Sequence, residues 1–433
     1  MERTWTSELP QRCGERVLLK GWLHRLRRLS GVSFLVLRDG RGLAQVVIDD
    51  DALAESLDRL PMESVVEVSG LATPAAQAPA GVEVREPRVT VLTATAAAPP
   101  VQLFQPSLRA NLPTILDHAP VTLRHPRRRA VFQLAAASMA GFRASLNARG
   151  FVEIQTPKIV AFATEGGANV FPVEYFGRRA FLAQSPQFYK QTMVGVFERV
   201  FEVGPVFRSE PHDTPRHLNE YVSLDAEMGF VSDHRDVMAM LRDAVAGMAE
   251  AIRAEAPAAA ALVGAVVPDV PAEIPCLDFL EAQRLISAAT GEDLDGEPDL
   301  APAHESWLGE WVRREHGSDF LFVTGYPMAK RPFYTHPDPA DGGRTNSFDL
   351  LCRGQELVTG GQRLHRYEDY LAALGARGLD PEPFTSYLQA FKHGMPPHGG
   401  FAIGLERWVA RVVGAPNVRE AALFPRDLTR LTP

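Results

Sequence analysis

Residues 207–220 of this chain read FRSEPHDTPRHLNE, with two arginines, two glutamates and two histidines around two prolines and little apolar after Phe207. A charged loop is ordinarily solvated surface. Here both flanks, RVFEVGPVFR and EYVSLDAEMGF, alternate like strands, so the loop connects a long hairpin. On the second strand Val222, Leu224, Ala226 and Met228 share one face, and Tyr221, Ser223, Asp225 and Glu227 the other; Glu202 and Arg208 share a face of the first. Such a charged face either meets water or lines a polar cavity, and the segments available to cover it favour the cavity. Two further stretches carry the same chemistry. GQELVTGGQRLHRYEDY sets Glu356 and Arg363 around a Gly-Gly pair. HGGFAIGLERWVARVVG reads strand, glycine, helix, with Arg407 in the first helical turn and Gly404 permitting close approach of an anion. Each alone is explained by a surface ion pair. No G-x-x-x-x-G-K-[ST] or G-x-G-x-x-G loop is present, so any nucleotide must be held by arginines and acidic metal ligands. His393 and His398 lack the further ligands that zinc requires.

These residues need elements to position them. A length of 433 residues implies at least two domains, and 45% hydrophobic content with a net charge of −8 is that of an ordinary globular protein. An acidic total does not exclude a polyanionic partner, because binding depends on where basic residues cluster. Cys13, Cys276 and Cys352 are too dispersed for a disulfide framework or a cysteine zinc site. The N-terminus has no apolar signal core and no apolar run approaches a membrane span, which points to the cytoplasm and to no membrane partner. Residues 16–93 read as five short strands punctuated by turn residues, a small closed barrel, so a domain over 1–100 is expected. TATAAAPPVQLFQPSLRANLP, rich in Ala and Pro, reads as a linker or hinge, expected over 101–125. A domain over 126–433 opens with an amphipathic helix from Pro126 to about Gly150, mixes antiparallel strands with helices, and carries a helical insertion near 231–320. The fold class is α+β with an N-terminal all-β barrel.

FVEIQTP, FRSEPHDTPRHLNEYVSLDAEMGF and GGFAIGLERW resemble, in order, motifs 1, 2 and 3 of class II aminoacyl-tRNA synthetases. The likeness is greatest to the aspartyl/asparaginyl branch, whose members carry an N-terminal OB-fold barrel, and the length resembles the archaeal-type aspartyl enzymes. The resemblance covers nearly the whole chain. It implies an antiparallel-sheet catalytic domain that activates an amino acid with ATP and passes it to tRNA.

Activation joins two anions, a carboxylate and the α-phosphate, so cations and metal are required. The resemblance implies that Arg208 bridges the carboxylate and the α-phosphate, that Arg407 meets the γ-phosphate and packs on adenine, and that Arg216 and His217 close over the ATP tail. Glu210 faces the adenine amino group and Tyr221 stacks on the ring; Ser209, Leu218, Gly404, Leu405 and Glu406 complete the implied ATP site. Glu356 and Thr359 match Mg2+ positions, threonine replacing the commoner serine with the same hydroxyl oxygen. QSPQFYKQ resembles the aspartyl pattern, with Gln187 and Lys190 reaching the substrate and Arg363 pairing with its side-chain carboxylate. By itself Lys190 reads as a solvent-facing helix lysine. A closed pocket with two cations favours L-aspartate over asparagine. Glu165, in the flap-like ATEGGANVF, and Asp225 are implied to hold the α-amino group, and Thr359 borders the same pocket.

The barrel is implied to read the anticodon of tRNA(Asp): Phe34 stacks on the middle base, with Arg27 and Gln45 hydrogen-bonding it. Without the family, Phe34 reads equally as barrel core. His24 departs from the bulky aromatic that tRNA(Asp)-selective archaeal relatives often show nearby, which points to relaxed reading of the third base and charging of tRNA(Asn) as well. Motif 1 implies a homodimer. The rival readings are an asparaginyl-tRNA synthetase, a protein related to asparagine synthetase, which would lack the barrel, and a non-catalytic single-stranded RNA-binding protein, which would need only the barrel.

Overall fold

The computed structural model describes residues 1–162 and 169–433, so Glu165 lies outside the described residues. The chain divides into two compact units, Met1–Arg129 with Pro433, and Ala130–Thr432.

In the first unit β1 (Arg16–Leu29), β2 (Val32–Arg38), β3 (Leu43–Ile48), β4 (Val65–Pro74) and β5 (Val82–Thr93) close a barrel in the order β1-β2-β3-β5-β4. Alternation builds its core: Leu19, Leu35, Leu37, Val46, Val66 and Val68 point inward and are fully buried, each contributing about 1.5–3 kcal/mol of burial. A bulge between Leu23 and Arg25 adds a residue to β1 and re-aims the rest of the strand, so that Arg25 and Arg27 face outward. The expected linker is instead folded with this unit. Residues Leu112–Asp117 and Ala119–Thr122 are helical and bury Leu116 and Ala119, while Leu103 is buried just before them; their sparse apolar spacing hid this in the text.

The second unit is built on β6 (Val152–Glu153), β7 (Ile159–Val160), β8 (Pro172–Tyr175), β9 (Arg178–Leu182), β10 (Arg199–Phe207), β11 (Glu220–Gly229), β12 (Cys276–Asp278), β13 (Phe320–Thr324), β14 (Ser347–Cys352), β15 (Glu356–Arg363) and β16 (His398–Gly404). Eight of them form one sheet in the order β12-β13-β14-β15-β16-β11-β10-β6, antiparallel except at its two ends, and β7, β9 and β8 form a small second sheet. One face of the large sheet offers Phe201, Leu224, Ala226, Phe348, Val358 and Ile403 to the helices Pro126–Asn147, His234–Glu255 and Leu405–Val413. The helix His234–Glu255 belongs to the stretch expected as an insertion, yet it packs into this core, and β12 of the same stretch pairs into the sheet edge. The approach is close: a Cβ on Gly141 would stand 2.4 Å from the Gly247 carbonyl oxygen of the neighbouring helix. With the apolar face covered, the other face is left to polar groups.

Candidate active site

Strand register builds the site. Glu202 of β10 pairs with Asp225 of β11, Asp225 with Ala402 of β16, Ala402 with Thr359 of β15, and Thr359 with Asp349 of β14. Paired residues share a face, so five strands contribute one row in which four polar side chains flank one methyl. In the next row Glu227 pairs with Gly400, and Gly400 with Gly361. The absent side chains make room: a Cβ on Gly400 would sit 2.1 Å from Glu227 Oε2.

Two cations come into that space. Lys190, on the helix Gln187–Phe197, is 1% exposed; its Nζ donates to Asp225 Oδ1 at 3.0 Å and to the Phe401 carbonyl at 3.1 Å, and lies 3.3 Å from Glu227 Oε2. Its solvent-facing reading is therefore wrong. Arg363 Nε donates to Glu227 Oε1 at 3.0 Å and Nη2 to the Gly400 carbonyl at 3.0 Å. Burial pushes the Glu227 carboxyl up, but Arg363 and Lys190 outweigh it and hold the group ionised, below its ordinary range. Both expected cations are present in the pocket and both are fastened by internal carboxylates; Asp225 also accepts from Ser223 Oγ at 2.6 Å. Lys190, Arg363, Asp225, Gln187, Arg208 and Thr359 line one cavity of about 110 Å³. Gln187 is 4% exposed, and its Nε2 has no hydrogen-bond partner among the described residues.

Beside it lies a cleft of about 300 Å³ lined by Arg208, Glu210, Arg216, His217, Leu218, Tyr221, Glu356, Thr359, Gly404, Glu406 and Arg407 among others. The charged loop closes one side. Arg208 stands 3.6 Å from Glu210, and His217 3.7 Å from the same carboxylate. Burial lowers the His217 pKa, and Arg407 adds to this against the pull of Glu210. Arg407 Nη1 donates to the Glu356 carbonyl at 3.0 Å, and Thr359 Oγ1 to Glu356 Oε1 at 3.2 Å. Three implied ATP contacts sit differently. Ser209 is not among the lining residues, and its N–H donates to the Asn169 carbonyl at 2.9 Å. Leu405 turns into the apolar core. Glu406 turns its carboxylate to the Val222 N–H at 3.1 and 3.2 Å, which ties helix to strand, and burial raises its pKa to about 7.

The sequence reading missed residues whose only signal was register or tertiary contact. Asp349 is 6% exposed; burial, and then the opposing effects of Arg331 and Glu356, leave its pKa raised to about 6. Arg331 stands 2.9 Å from it, close enough for an ion pair though not aligned as a hydrogen bond. Arg419 anchors the loop base, with 2.5 Å contacts to Asp213 and Asp427. Glu305 accepts from Arg216 at 3.2 Å and from the Glu356 N–H at 3.1 Å.

In the barrel, Arg27 Nη2 donates to Gln45 Oε1 at 2.7 Å and its guanidinium lies 5.7 Å from the Phe34 ring centre. Phe34 is half-buried on the outer face, and Leu35 and Leu37 fill the core, so the core reading of Phe34 falls. Glu83, also missed, accepts from Gln45 Nε2 at 3.1 Å. His24 does not join this group. It is 6% exposed at the bulge, its Nδ1 3.1 Å from Arg38 Nη1, and Arg38 holds Glu63 through two hydrogen bonds.

Two family models match: tRNA synthetases class II (D, K and N) over residues 111–428, and the OB-fold nucleic acid binding domain over 17–92. The chain is 47% identical to the aspartate–tRNA(Asp/Asn) ligase of Deinococcus radiodurans, spanning 100% of this chain and 99% of that one. It is 48% identical to the Thermus thermophilus protein of the same name, spanning 100% of both. Among solved structures it is similar to asparaginyl-tRNA synthetase from Pyrococcus horikoshii complexed with asparaginyl-adenylate, with TM-score 0.91 at 29% identity over 100% of both chains. It is also similar to aspartyl-tRNA synthetase from Entamoeba histolytica, with TM-score 0.86 at 28% identity over 100% of this chain and 93% of that one. A cleft and smaller cavity behind a charged hairpin loop, joined to these full-length matches, mean that the chain belongs to the class II tRNA synthetases of the D, K and N group.

Proposed function

We propose that this protein is an aspartate–tRNA ligase that activates L-aspartate with ATP and transfers it to the 3′ end of tRNA(Asp) and also of tRNA(Asn). The observation that carries the reading is the sharing of Arg208 and Thr359 by the cleft and the smaller cavity, which makes the two one continuous site for a nucleotide and an amino acid. The Asp/Asn ligase names of the relatives at 47% and 48% identity support both acceptors. The asparaginyl reading has the structural likeness at 29% identity, but the relatives at 47% and 48% identity over the whole chain are named aspartate ligases. A stand-alone RNA-binding protein would have no use for this cavity.

In the proposed mechanism the aspartate α-carboxylate attacks the α-phosphorus, the bond to the β-phosphate breaks, and pyrophosphate leaves with the bonding electrons. Arg208, common to both spaces, holds the two reacting anions together. Arg216, His217 and Arg407 take the phosphate tail, Glu210 faces the adenine and Tyr221 stacks on it. Arg363 and Lys190 pair with the aspartate side chain; their internal partners hold them in place, so little is lost in ordering them. Asp225 and Gln187 take the α-amino end, and Glu165 is proposed to join them. In the second step the ribose hydroxyl of tRNA attacks the aspartyl carbonyl and AMP leaves, its phosphate oxygen taking the proton.

Glu356, Thr359 and Asp349 offer the oxygen donors a hard cation prefers: Thr359 pairs with Asp349 across the strands and donates to Glu356 Oε1 at 3.2 Å, and burial, with Glu356 adding to it against Arg331, raises Asp349 to about 6. Among the described residues no group of three or more His, Cys, Asp or Glu side chains is placed to hold a metal ion by itself. Glu356, Thr359 and Asp349 would hold Mg2+ there, and its charge would neutralise that of the phosphates. In the barrel, Phe34, Arg27 and Gln45 read the anticodon, and His24 acts from inside through Arg38. The protein is proposed to work as a homodimer through the helix from Pro126 and FVEIQTP.

Charging of purified tRNA(Asp) and tRNA(Asn) transcripts with labelled aspartate tests the reading. Both are expected to form aspartyl-tRNA; no charging of tRNA(Asn) ends the dual specificity. Arg208→Ala is expected to lose adenylate formation at least about 100-fold while tRNA binding survives, and retained adenylate formation removes Arg208 from the mechanism.

A further inference from the structure

A second cavity, about 640 Å³, opens beyond the phosphate end of the nucleotide cleft. It shares Arg216, His217, Glu356, Arg407 and Val418 with that cleft, so the two are continuous. Apart from the shared residues and Asp349, its lining, which includes Asp299, Glu305, Arg353 and Arg411, takes no part in the proposed nucleotide and Mg2+ contacts.

The charges around it are paired with one exception. Arg216 faces Glu305, Arg407 faces Glu356, Asp349 faces Arg331, Asp299 faces Lys330, and Arg353 is held by Asp319. Arg411 alone among the charged lining residues has no ion-pair or hydrogen-bond partner for its guanidinium among the described residues, and its Nε is shut off from solvent. It sits one turn beyond Arg407 on the helix Leu405–Val413, and residues four apart lie side by side on a helix. Burial lowers its proton affinity, and Arg216, Arg353 and Arg407 add to this against Cys352. A half-buried guanidinium kept without a partner costs stability unless an anion completes it, and a planar fork of donors suits phosphate oxygens.

We propose that this cavity is a binding site for inorganic pyrophosphate, the leaving group of adenylate formation, with Arg411 as its own cation and Arg407 shared with the nucleotide. The inference rests on the ligase reading, because only an AMP-forming reaction releases pyrophosphate at this place. Once the bond between the α- and β-phosphates breaks, the product moves along the Arg407–Arg411 face out of the cleft, leaving the adenylate behind for tRNA.

The test is calorimetric titration of the full-length, nucleotide-free protein with pyrophosphate and separately with AMP, which lacks the two outer phosphates. Arg411→Met is expected to weaken pyrophosphate binding about tenfold or more and to leave AMP affinity within about twofold, with Arg411→Lys recovering most of the loss. Equal pyrophosphate affinity in wild type and Arg411→Met, or a parallel loss of AMP, overturns the site. Aspartate-dependent pyrophosphate exchange by the wild type is measured alongside, and its absence would instead overturn the ligase reading itself.

Discussion

At the scale of single residues, the amino-acid cavity is governed by what Lys190 and Arg363 already hold. Both stand against Glu227, which burial would otherwise neutralise, and Lys190 also holds Asp225, so neither can be removed without leaving a charge behind. Lys190→Met is expected to cost about 3–5 kcal/mol of stability and to abolish aspartate activation; urea unfolding and adenylate formation measure the two. Arg363→Gln is expected to lose aspartate activation at least about 100-fold while AMP still binds, because Arg363 lines the smaller cavity and not the nucleotide cleft. A variant whose ATP and aspartate constants shift together would place Arg363 elsewhere in the chemistry.

At the scale of elements, the helix after Gly404 is docked to β11 through Glu406, whose carboxyl is raised from 4.5 to about 7 by burial. The folded state therefore binds a proton that the unfolded chain releases, so the contribution is full below about pH 4.5 and is lost as pH rises towards 7. Glu406→Gln keeps an acceptor for the Val222 N–H without the charge. Its stability relative to wild type is expected to rise between about pH 5 and pH 8 in urea melts, and a constant difference would refute the assignment. Gly400→Ala, whose Cβ would meet both Glu227 Oε2 and the Ala226 carbonyl, is expected to cost about 1–3 kcal/mol as overpacking. These elements were unequally legible in the sequence. The hairpin flanking the charged loop alternates strictly, so its two faces and the polar fate of Asp225 and Glu227 could be read directly. Asp349 and Glu305 could not, since one is linked to Thr359 only by register and the other to Arg216 only across 89 residues. Sparse apolar spacing hid the short helices within 101–125, and Ala-rich text hid the packing of the helix His234–Glu255 into the core, although small residues are what allow helices to pack as closely as Gly141 and Gly247 do. Leu405 was assigned to ATP because a motif specifies spacing, whereas the helix turn decides which side chain faces the core.

At the scale of the whole molecule, the barrel and the sheet-based unit divide the task into reading RNA and activating an amino acid. The barrel's outward residues, Arg27, Phe34 and Gln45, contribute nothing to its core, so their substitution is expected to weaken tRNA charging without lowering the melting temperature by more than a few degrees. Sedimentation is expected to show a dimer, and monomers alone at micromolar concentration would remove the interface proposed for motif 1. Among the described residues no helix is long and apolar enough to cross a membrane. Everything proposed for the site turns on which amino acid the small cavity accepts, and ATP–pyrophosphate exchange with the purified full-length protein measures that most directly. Exchange driven by L-aspartate and not by L-asparagine is the predicted result; exchange driven by asparagine, or by neither, would contradict it.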